Sequence, residues 1–489
     1  METILIPALV AALAVLVLVA DIVPADLVGV PGAGPGSSPG AERRGIGAFA
    51  AAGLLGAFVA AGYTTQGVAF SGTWGNDDFT SFVQRLVLLA GAIGCVGSID
   101  HGARVYPRRQ GEYYFLLLCS VLGMTLLAGA RDLVLLLVAF ELMSIPQYVL
   151  AAIHKDGRQG VEGATKLYLT GAISAAFTVY GASFLIGAAG STHFDAIGAI
   201  VGTPMGALGA LLVLGGMAYK LGAVPFHMWV PDTYQAAPAP FVAFLSVAPK
   251  VAVMAALVRV QGGVGHGGFG HAWAPVLVVL AVLTLAFGNV MAIPQTNVRR
   301  LLAWSGIGHA GLLLLALALG SADGVAALLF YLATYVVSNM GAFLVAEAVG
   351  AHVGDDFPGW NGLARRSPGL ALSMLLCLLS LGGIPFVAGF WGKLFVFRAA
   401  WAGGYTGIVL LGALLAVVGL FYYMKVARAM YMEPPKDRSP IPVGRATLVA
   451  IALALVGVVG VGLLPGLVWD QAVAGGEAVA TLPAVAMER

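Results

Sequence analysis

Apolar runs of about twenty residues, the length that crosses a bilayer as a helix, alternate along the chain with short segments rich in Gly, Pro and charge. Read in this way, the sequence predicts fourteen helices. They lie at 2–23, 45–70, 79–99, 112–129, 132–153, 163–189 and 204–222, then at 239–261, 273–294, 299–319, 322–350, 369–400, 404–430 and 443–465. Segments such as PGAGPGSSPG (31–40), GGVGHGGFGH (262–271) and EPPKDRSPIP (433–442) punctuate them, and none is long enough for a separate soluble domain. The fold class this predicts is an all-α integral membrane protein.

One stretch breaks the pattern. Residues 217–254 lie in apolar sequence yet carry Lys220, His227, Asp232, Lys250 and five prolines. A charge at membrane depth is costly, and a helix break there frees backbone groups that lipid cannot satisfy. Charge and break together are the pattern of a protein that handles ions. For any single lysine, snorkelling from a helix end is the alternative.

Composition narrows the reading. The chain has 489 residues, 60% hydrophobic and 10% charged, with mean hydropathy +0.93, whereas a soluble domain carries about a quarter charged residues. The lipid bilayer is therefore its medium, and a net charge of +2 gives no reason to expect a nucleic-acid partner. Cys95, Cys119 and Cys377 lie in apolar runs without metal or redox spacing, so neither a disulfide framework nor a metal or iron–sulfur site is expected. Glu2 stands where a cleaved signal would carry basic residues, so the first segment reads as a retained helix.

The basic residues sort by type. Of 25, 18 are Arg and 7 are Lys, yet five lysines (Lys166, Lys220, Lys250, Lys393 and Lys425) fall in predicted helices, where Arg85 alone among the arginines clearly does. Arginine stays protonated, whereas a buried lysine can give up its proton, so the segregation points to protonation chemistry. The remaining charges set orientation. Loops after odd-numbered helices hold Arg43, Arg44, Arg104, Arg108, Arg109, Lys155, Arg158, Arg299, Arg300, Arg365, Arg366, Arg428, Lys436, Arg438 and Arg445. Those after even-numbered helices, with the C-terminus, hold Arg131, Arg259, Arg398 and Arg489. Fifteen against four puts the odd loops in the cytoplasm and both termini on the outer side.

The chain repeats internally. GAVPFHMW around Pro225 has a counterpart in GGIPFVAGFW around Pro385, each near a lysine, Lys220 and Lys393. The two fall on helices seven and twelve, five apart, and a unit with an odd number of spans must return inverted. Paired broken helices in inverted repeats are a transporter architecture with sites at the midplane.

Other polar groups join this frame. Glu141, in the middle of helix five, reads as a proton-carrying carboxylate coupled to Lys220, or as half of a structural pair. Glu162 and Lys166 stand at i,i+4 spacing and fit an interfacial pair as well as a role in proton uptake. His309 in helix ten lies between the two lysine-bearing halves, and His227 follows the Pro225 break; either histidine can relay protons. Lys425, nearer a helix end, can snorkel, and Asp132, Glu347 and Arg85 read as boundary charges. No Walker A sequence or dinucleotide fingerprint is present, so the chain is expected to bind no redox cofactor itself.

The stretches ELMSIPQYVL (141–150), KLGAVPFHMWVPDTYQAAPAPFVAFLSVAPKVA (220–252), PQTNVRRLLAWSGIGHAG (294–311) and LSLGGIPFVAGFWGKLFVF (379–397) carry a family likeness. Over roughly residues 110–430 the chain resembles the antiporter-like membrane subunits of proton-pumping NADH-quinone oxidoreductase (respiratory complex I), in their subunit N family. The resemblance implies about 14 transmembrane helices with two inverted five-helix repeats, helices 4–8 and 9–13, helices 7 and 12 being broken. The chain then divides into N-terminal helices 1–3 (1–111), a first repeat (112–261), a second (272–430) and a C-terminal helix 14 with its tail (431–489). The resemblance also implies roles for Glu141, Lys220, Lys250 and Lys393 along a hydrophilic axis, with Lys166 and His227 at further matching positions. NADH, FMN, iron–sulfur clusters and quinone are expected in partner subunits of a bacterial-type inner-membrane assembly, and the N-terminal region matches poorly. A subunit of a multi-subunit cation/proton antiporter or membrane-bound hydrogenase is the alternative, and a membrane scaffold with packing charges a third.

Overall fold

The computed structural model describes residues 2–22, 44–153, 158–265, 269–435 and 437–480. The proline-rich segment 31–40, residues 266–268 and the basic residues Arg43, Lys155, Lys436 and Arg489 lie outside the described residues.

The first seven long helices are α1 (Leu5–Ile22), α2 (Arg44–Ala60), α3 (Asp78–Val105), α4 (Gln110–Ala128), α5 (Leu133–Ala151), α6 (Arg158–Ala189) and α7 (Pro204–Leu221). A short helix α8 (Trp229–Ala236) leads into α9 (Ala239–Leu245), α10 (Ala248–Gly265), α11 (Phe269–Ala292), α12 (Val298–Ala318) and α13 (Ala322–Val353). The chain continues through α14 (Pro368–Gly382), α15 (Ala388–Ala402), α16 (Thr406–Tyr431), α17 (Arg445–Leu463) and α18 (Gly466–Ala480). Among the described residues, twelve helices are long and apolar enough to cross a membrane, with α9 and α10 counted as one. The other two expected helices are α2, of 17 residues, and the twelfth, which is divided into α14 and α15 of 15 residues each.

Start signals are written in the sequence. Asp77, Asp132, Thr203, Asn297 and Ser321 precede α3, α5, α7, α12 and α13, and each side chain accepts a backbone N–H of the first turn. That contact satisfies donors that no intrahelical carbonyl reaches.

Both expected breaks are present. α7 ends on Gly222 in the left-handed conformation (φ 70°), three residues before Pro225. α14 ends on Gly383 (φ 83°), two residues before Pro385. The backbone groups freed at each break find partners. Val224 N–H donates to Thr284 Oγ1 at 3.0 Å, and Trp229 Nε1 donates to the Tyr219 carbonyl at 3.0 Å. At the second break Gly389 N–H donates to Ser380 Oγ at 2.9 Å. A Cβ on Gly389 would stand 1.9 Å from the Ser380 carbonyl oxygen, so only glycine lets α15 start this close to α14.

α13 is the centre of the molecule. Its 32 residues extend about 48 Å at 1.5 Å each, and every residue from Gly324 to Val349 is buried. α12, α14, α15, α17 and α18 pack around it, α6 lies on α7, and α11 lies on α12.

Three expectations need correction. Helix two, read as 45–70, stops at Ala60, and a small antiparallel hairpin follows, with β1 (Gly67–Ala69) paired to β2 (Trp74–Asn76). Gly62, Thr64 and Thr65 are poor helix formers, Asn76 Nδ2 holds the Thr65 carbonyl at 2.9 Å, and Phe70, Ser71 and Gly72 take positive φ to close the turn. Arg259, counted with the loop charges, lies within α10 and is 1% exposed. It donates to Asp77 Oδ1 at 2.5 Å, to Thr80 Oγ1 at 2.6 Å and to the Ala128 carbonyl at 3.2 Å. Last, the region after helix fourteen is not all tail, because α18 packs on α13 and α3.

Candidate functional site

Four of the expected residues are buried cations or histidines inside the helix bundle. Lys220 and Lys250 are each 2% exposed, Lys393 is 9% and His309 is 7%. Unpaired buried charge is costly, so each must be met by polar groups or by a π face. The four are met differently.

Lys220 closes the last turn of α7, where the helix carbonyls attract a cation. Its Nζ has no hydrogen-bond partner and sits over the Tyr148 ring, 5.1 Å from the centroid. Glu141, on α5, feels the Lys220 charge and Lys220 that of Glu141. Glu141 is half-buried and, with Tyr148, lines a surface cleft of about 960 Å³ that Arg109, Glu112 and Tyr168 also border.

Lys250 has two hydrogen-bond partners. Its Nζ donates to the Gly306 carbonyl on α12 at 2.7 Å and to Tyr335 Oη on α13 at 3.1 Å, and Tyr335 donates in turn to the Ser246 carbonyl at 3.3 Å.

His309 continues the series. Its ring lies 5.2 Å from that of Tyr335; Nδ1 is 2.6 Å from Tyr331 Oη, and Nε2 is 3.1 Å from Tyr423 Oη, which also hydrogen-bonds Ser305. Beyond it, His309 and Lys393 border one cavity of about 20 Å³ with Asn289, Ser305, Tyr422 and Tyr423, room for a single water. Lys393 Nζ donates to the Gly382 carbonyl at 2.9 Å, so the second lysine caps the half-helix it faces.

Lys250, His309 and Lys393 therefore share one chain of tyrosines, carbonyls and a water-sized space. Lys220 and Glu141 form a second cluster at the α7 break. Sequence reasoning did not single out Tyr148, Tyr331, Tyr335 or Tyr423. An aromatic at helical spacing reads as core, and only the adjacent buried cation gives it another role.

Two expected residues stand apart. Lys166 is half-exposed and belongs to a surface network, 2.7 Å from Glu162 and 2.6 Å from Asp232 Oδ2; Asp232 Oδ1 also accepts from Arg300 at 2.7 Å. His227 is half-buried beside exposed Phe226 and Met228, with its ring 5.3 Å from that of Trp304. Lys425 caps α11, donating to the Ile293 and Gln295 carbonyls at 2.7 and 3.2 Å. Asp132 caps α5 and Arg85 reaches Gln471, as boundary charges do, but Asp132 is buried as Glu347 is.

The Asp232 network joins α6, α8 and α12. Burial opposes the Asp232 charge, but Lys166 and Arg300 outweigh it and hold the carboxyl below its ordinary value of 3.8. A depressed carboxyl adds stability that is complete above the ordinary value and is lost as pH falls through the lower native value. Asp232→Asn is therefore expected to melt below the native protein at neutral pH, with the gap closing on acidification. A gap of constant size across the acid range would contradict the assignment.

Among the described residues, no group of three or more His, Cys, Asp or Glu side chains is placed to hold a metal ion. The family described as NADH:quinone oxidoreductase/Mrp antiporter, TM, matches residues 130–419. The NADH-quinone oxidoreductase subunit N of Moorella thermoacetica is 42% identical over 434 residues, covering 87% of this chain and 91% of that one. Among solved structures, a chain of respiratory complex I from Thermus thermophilus with bound Aureothin is 34% identical, with a TM-score of 0.80 over 96% of this chain and 100% of its own. A chain of the membrane-bound sulfane sulfur reductase, an archaeal respiratory membrane complex, is 25% identical, with a TM-score of 0.84 over 97% of both chains.

Proposed function

The chain belongs to the NADH:quinone oxidoreductase/Mrp antiporter family of membrane proteins, among its subunit N members, and on that premise we propose how its own residues move protons. It is an antiporter-like membrane subunit of NADH-quinone oxidoreductase, and proton translocation is the family's work. In our reading its part is non-redox. NADH, FMN, the iron–sulfur clusters and quinone belong to partner subunits, and other antiporter-like and small membrane subunits flank it in a bacterial-type inner membrane. Both termini face outward. Residues 112–261 and 272–430 are inverted repeats set between the N-terminal helices (1–111) and the C-terminal segment (431–489).

The observation that carries the reading is the row of buried lysines, each met by neutral or π partners except where Glu141 adds a charge. A proton held at Lys220 is stabilised while Glu141 is ionised, and released when that carboxylate is neutralised or drawn away. Lys250, through Tyr335, and His309, through Tyr331 and Tyr423, pass it along by hydroxyl and imidazole. Lys393 receives it across the single-water cavity. Lys166 and His227 act at the margins of this path.

In proteoliposomes holding the assembled complex, Lys250→Ala is expected to slow NADH-driven proton movement several-fold. NADH oxidation by a soluble acceptor, which bypasses this path, should persist. Normal pumping from a fully assembled variant would remove the reading. A cation/proton antiporter or membrane-bound hydrogenase subunit shares the fold, but the higher identity to subunit N favours the oxidoreductase.

A further inference from the structure

A buried acid–base pair lies outside the row just described. His101 on α3 and Glu347 on α13 stand with Nδ1 and Oε1 2.7 Å apart, and Arg104 Nη2 is 3.4 Å from the same oxygen. Glu347 is 8% exposed and the His101 side chain 14%, whereas Arg104 is half-exposed and opens the cluster to the surface. Around the pair stand Arg299, which feels the Glu347 charge, and Tyr106, whose ring is 5.7 Å from that of His101. A helix-to-helix tie needs one charge on each side. This one joins an imidazole to a carboxylate, in a molecule whose family moves protons.

The pair is connected to the row by α13 itself. Every fourth residue of that helix reads Tyr331, Tyr335, Asn339, Phe343, Glu347, and positions four apart are neighbours on a helix surface. Tyr331 meets His309 and Tyr335 meets Lys250. Asn339 Nδ2 donates to Ser246 Oγ at 2.8 Å. One step is apolar: Phe343, fully buried, packs edge-on against Tyr234 with ring centroids 5.7 Å apart. On the two sides of that step, Asn339 Oδ1 and His101 Nε2 are buried polar atoms without a hydrogen-bond partner.

We propose that His101 and Glu347 are a proton-loading pair that feeds Lys250 along α13, with Phe343 as the hydrophobic gate between them. This rests on Lys250 being a proton carrier. In the step, a proton from the aqueous phase at the Arg104 end protonates the Glu347 carboxylate. When the Phe343 ring swings aside, the proton crosses by water and Asn339 to neutral Lys250. Glu347 returns to carboxylate and Lys250 becomes the ammonium, so one proton enters and none is lost.

The test uses the assembled complex in proteoliposomes, with NADH-driven pumping and passive proton leak without NADH measured on the same vesicles. Phe343→Ser is expected to raise the passive leak several-fold, Phe343→Ser with Glu347→Gln to return it to the native level, and Glu347→Gln alone to slow pumping. No added leak from Phe343→Ser in an assembled complex overturns the proposal, as does a leak that survives in the double variant. Normal pumping by Glu347→Gln beside impaired pumping by Lys250→Ala sinks the loading pair and leaves the Lys250 reading standing. Normal pumping by Lys250→Ala instead sinks that reading.

Discussion

Lys220→Ala is expected to abolish pumping by an assembled complex, and Glu141→Gln to slow it less. Among the described residues Lys220 is the one buried lysine without a hydrogen-bond partner, so its charge is stabilised by the Tyr148 face, the α7 carbonyl end and the Glu141 charge. Removing the amine removes the carrier. Loss of a positioned proton-transfer group costs about 10²- to 10⁴-fold in rate, enough to erase a measurable pH gradient. Glu141→Gln keeps the shape and deletes only the charge that makes release conditional, so slow and poorly coupled transport should remain. The measurement is the NADH-driven pH gradient against quinone reduction in the same vesicles. Native gradients from a Lys220→Ala complex of normal composition would mean that the lysine is a packing residue.

The second large effect concerns stability. Arg259→Ala is expected to destabilise the protein by roughly 3–5 kcal/mol, the loss typical when one partner of a buried ion pair is removed and the other is left without a counter-charge. Arg259 draws α10 against Asp77, Thr80 and the end of α4, and its guanidinium lies 4.7 Å from the Phe79 ring. Arg131, 3.8 Å from the same aspartate, remains as a weaker counter-charge after the substitution, which puts the expected loss at the lower end of that range. Asp77→Asn combined with Arg259→Ala should recover part of the loss, since no carboxylate is then stranded. Thermal unfolding of the purified complex reads both variants, and equal melting of single and double variants would refute the account.

These two cases separate what was legible in the sequence from what was not. Lys220, Lys250, Lys393, Glu141 and His309 stand out as candidates, because an ionisable group in a twenty-residue apolar run must either find partners or snorkel to the interface. The breaks at Pro225 and Pro385 were readable for the same reason. Arg259 was not, because an arginine two residues from an expected helix end looks the same whether it faces water or an aspartate 182 residues away. Asp232 and Arg300 pair across 68 residues, and no local spacing records that. The hairpin at 67–76 is held by Asn76 on Thr65 and by Gly75 on Gly129, and the second contact exists only after α4 has packed.

The buried helices bear on how the chain is built. Ala239–Gly262, Val298–Ala318 and Ala322–Val353 have no lipid-facing stretch in the finished protein. Each carries a group that lipid disfavours: Lys250 and Arg259 in the first, His309 in the second, Glu347 in the third. During biosynthesis these segments meet the bilayer before the helices that will enclose them, and their polar groups then lack the partners described above. Their stable insertion therefore depends on late-arriving segments. Tyr423 of α16, which hydrogen-bonds His309, is made more than a hundred residues after it. The order of synthesis thus sets a window in which the functional groups themselves are the weak points of insertion, and truncation before α16 should leave α12 without the partner that makes His309 tolerable at depth.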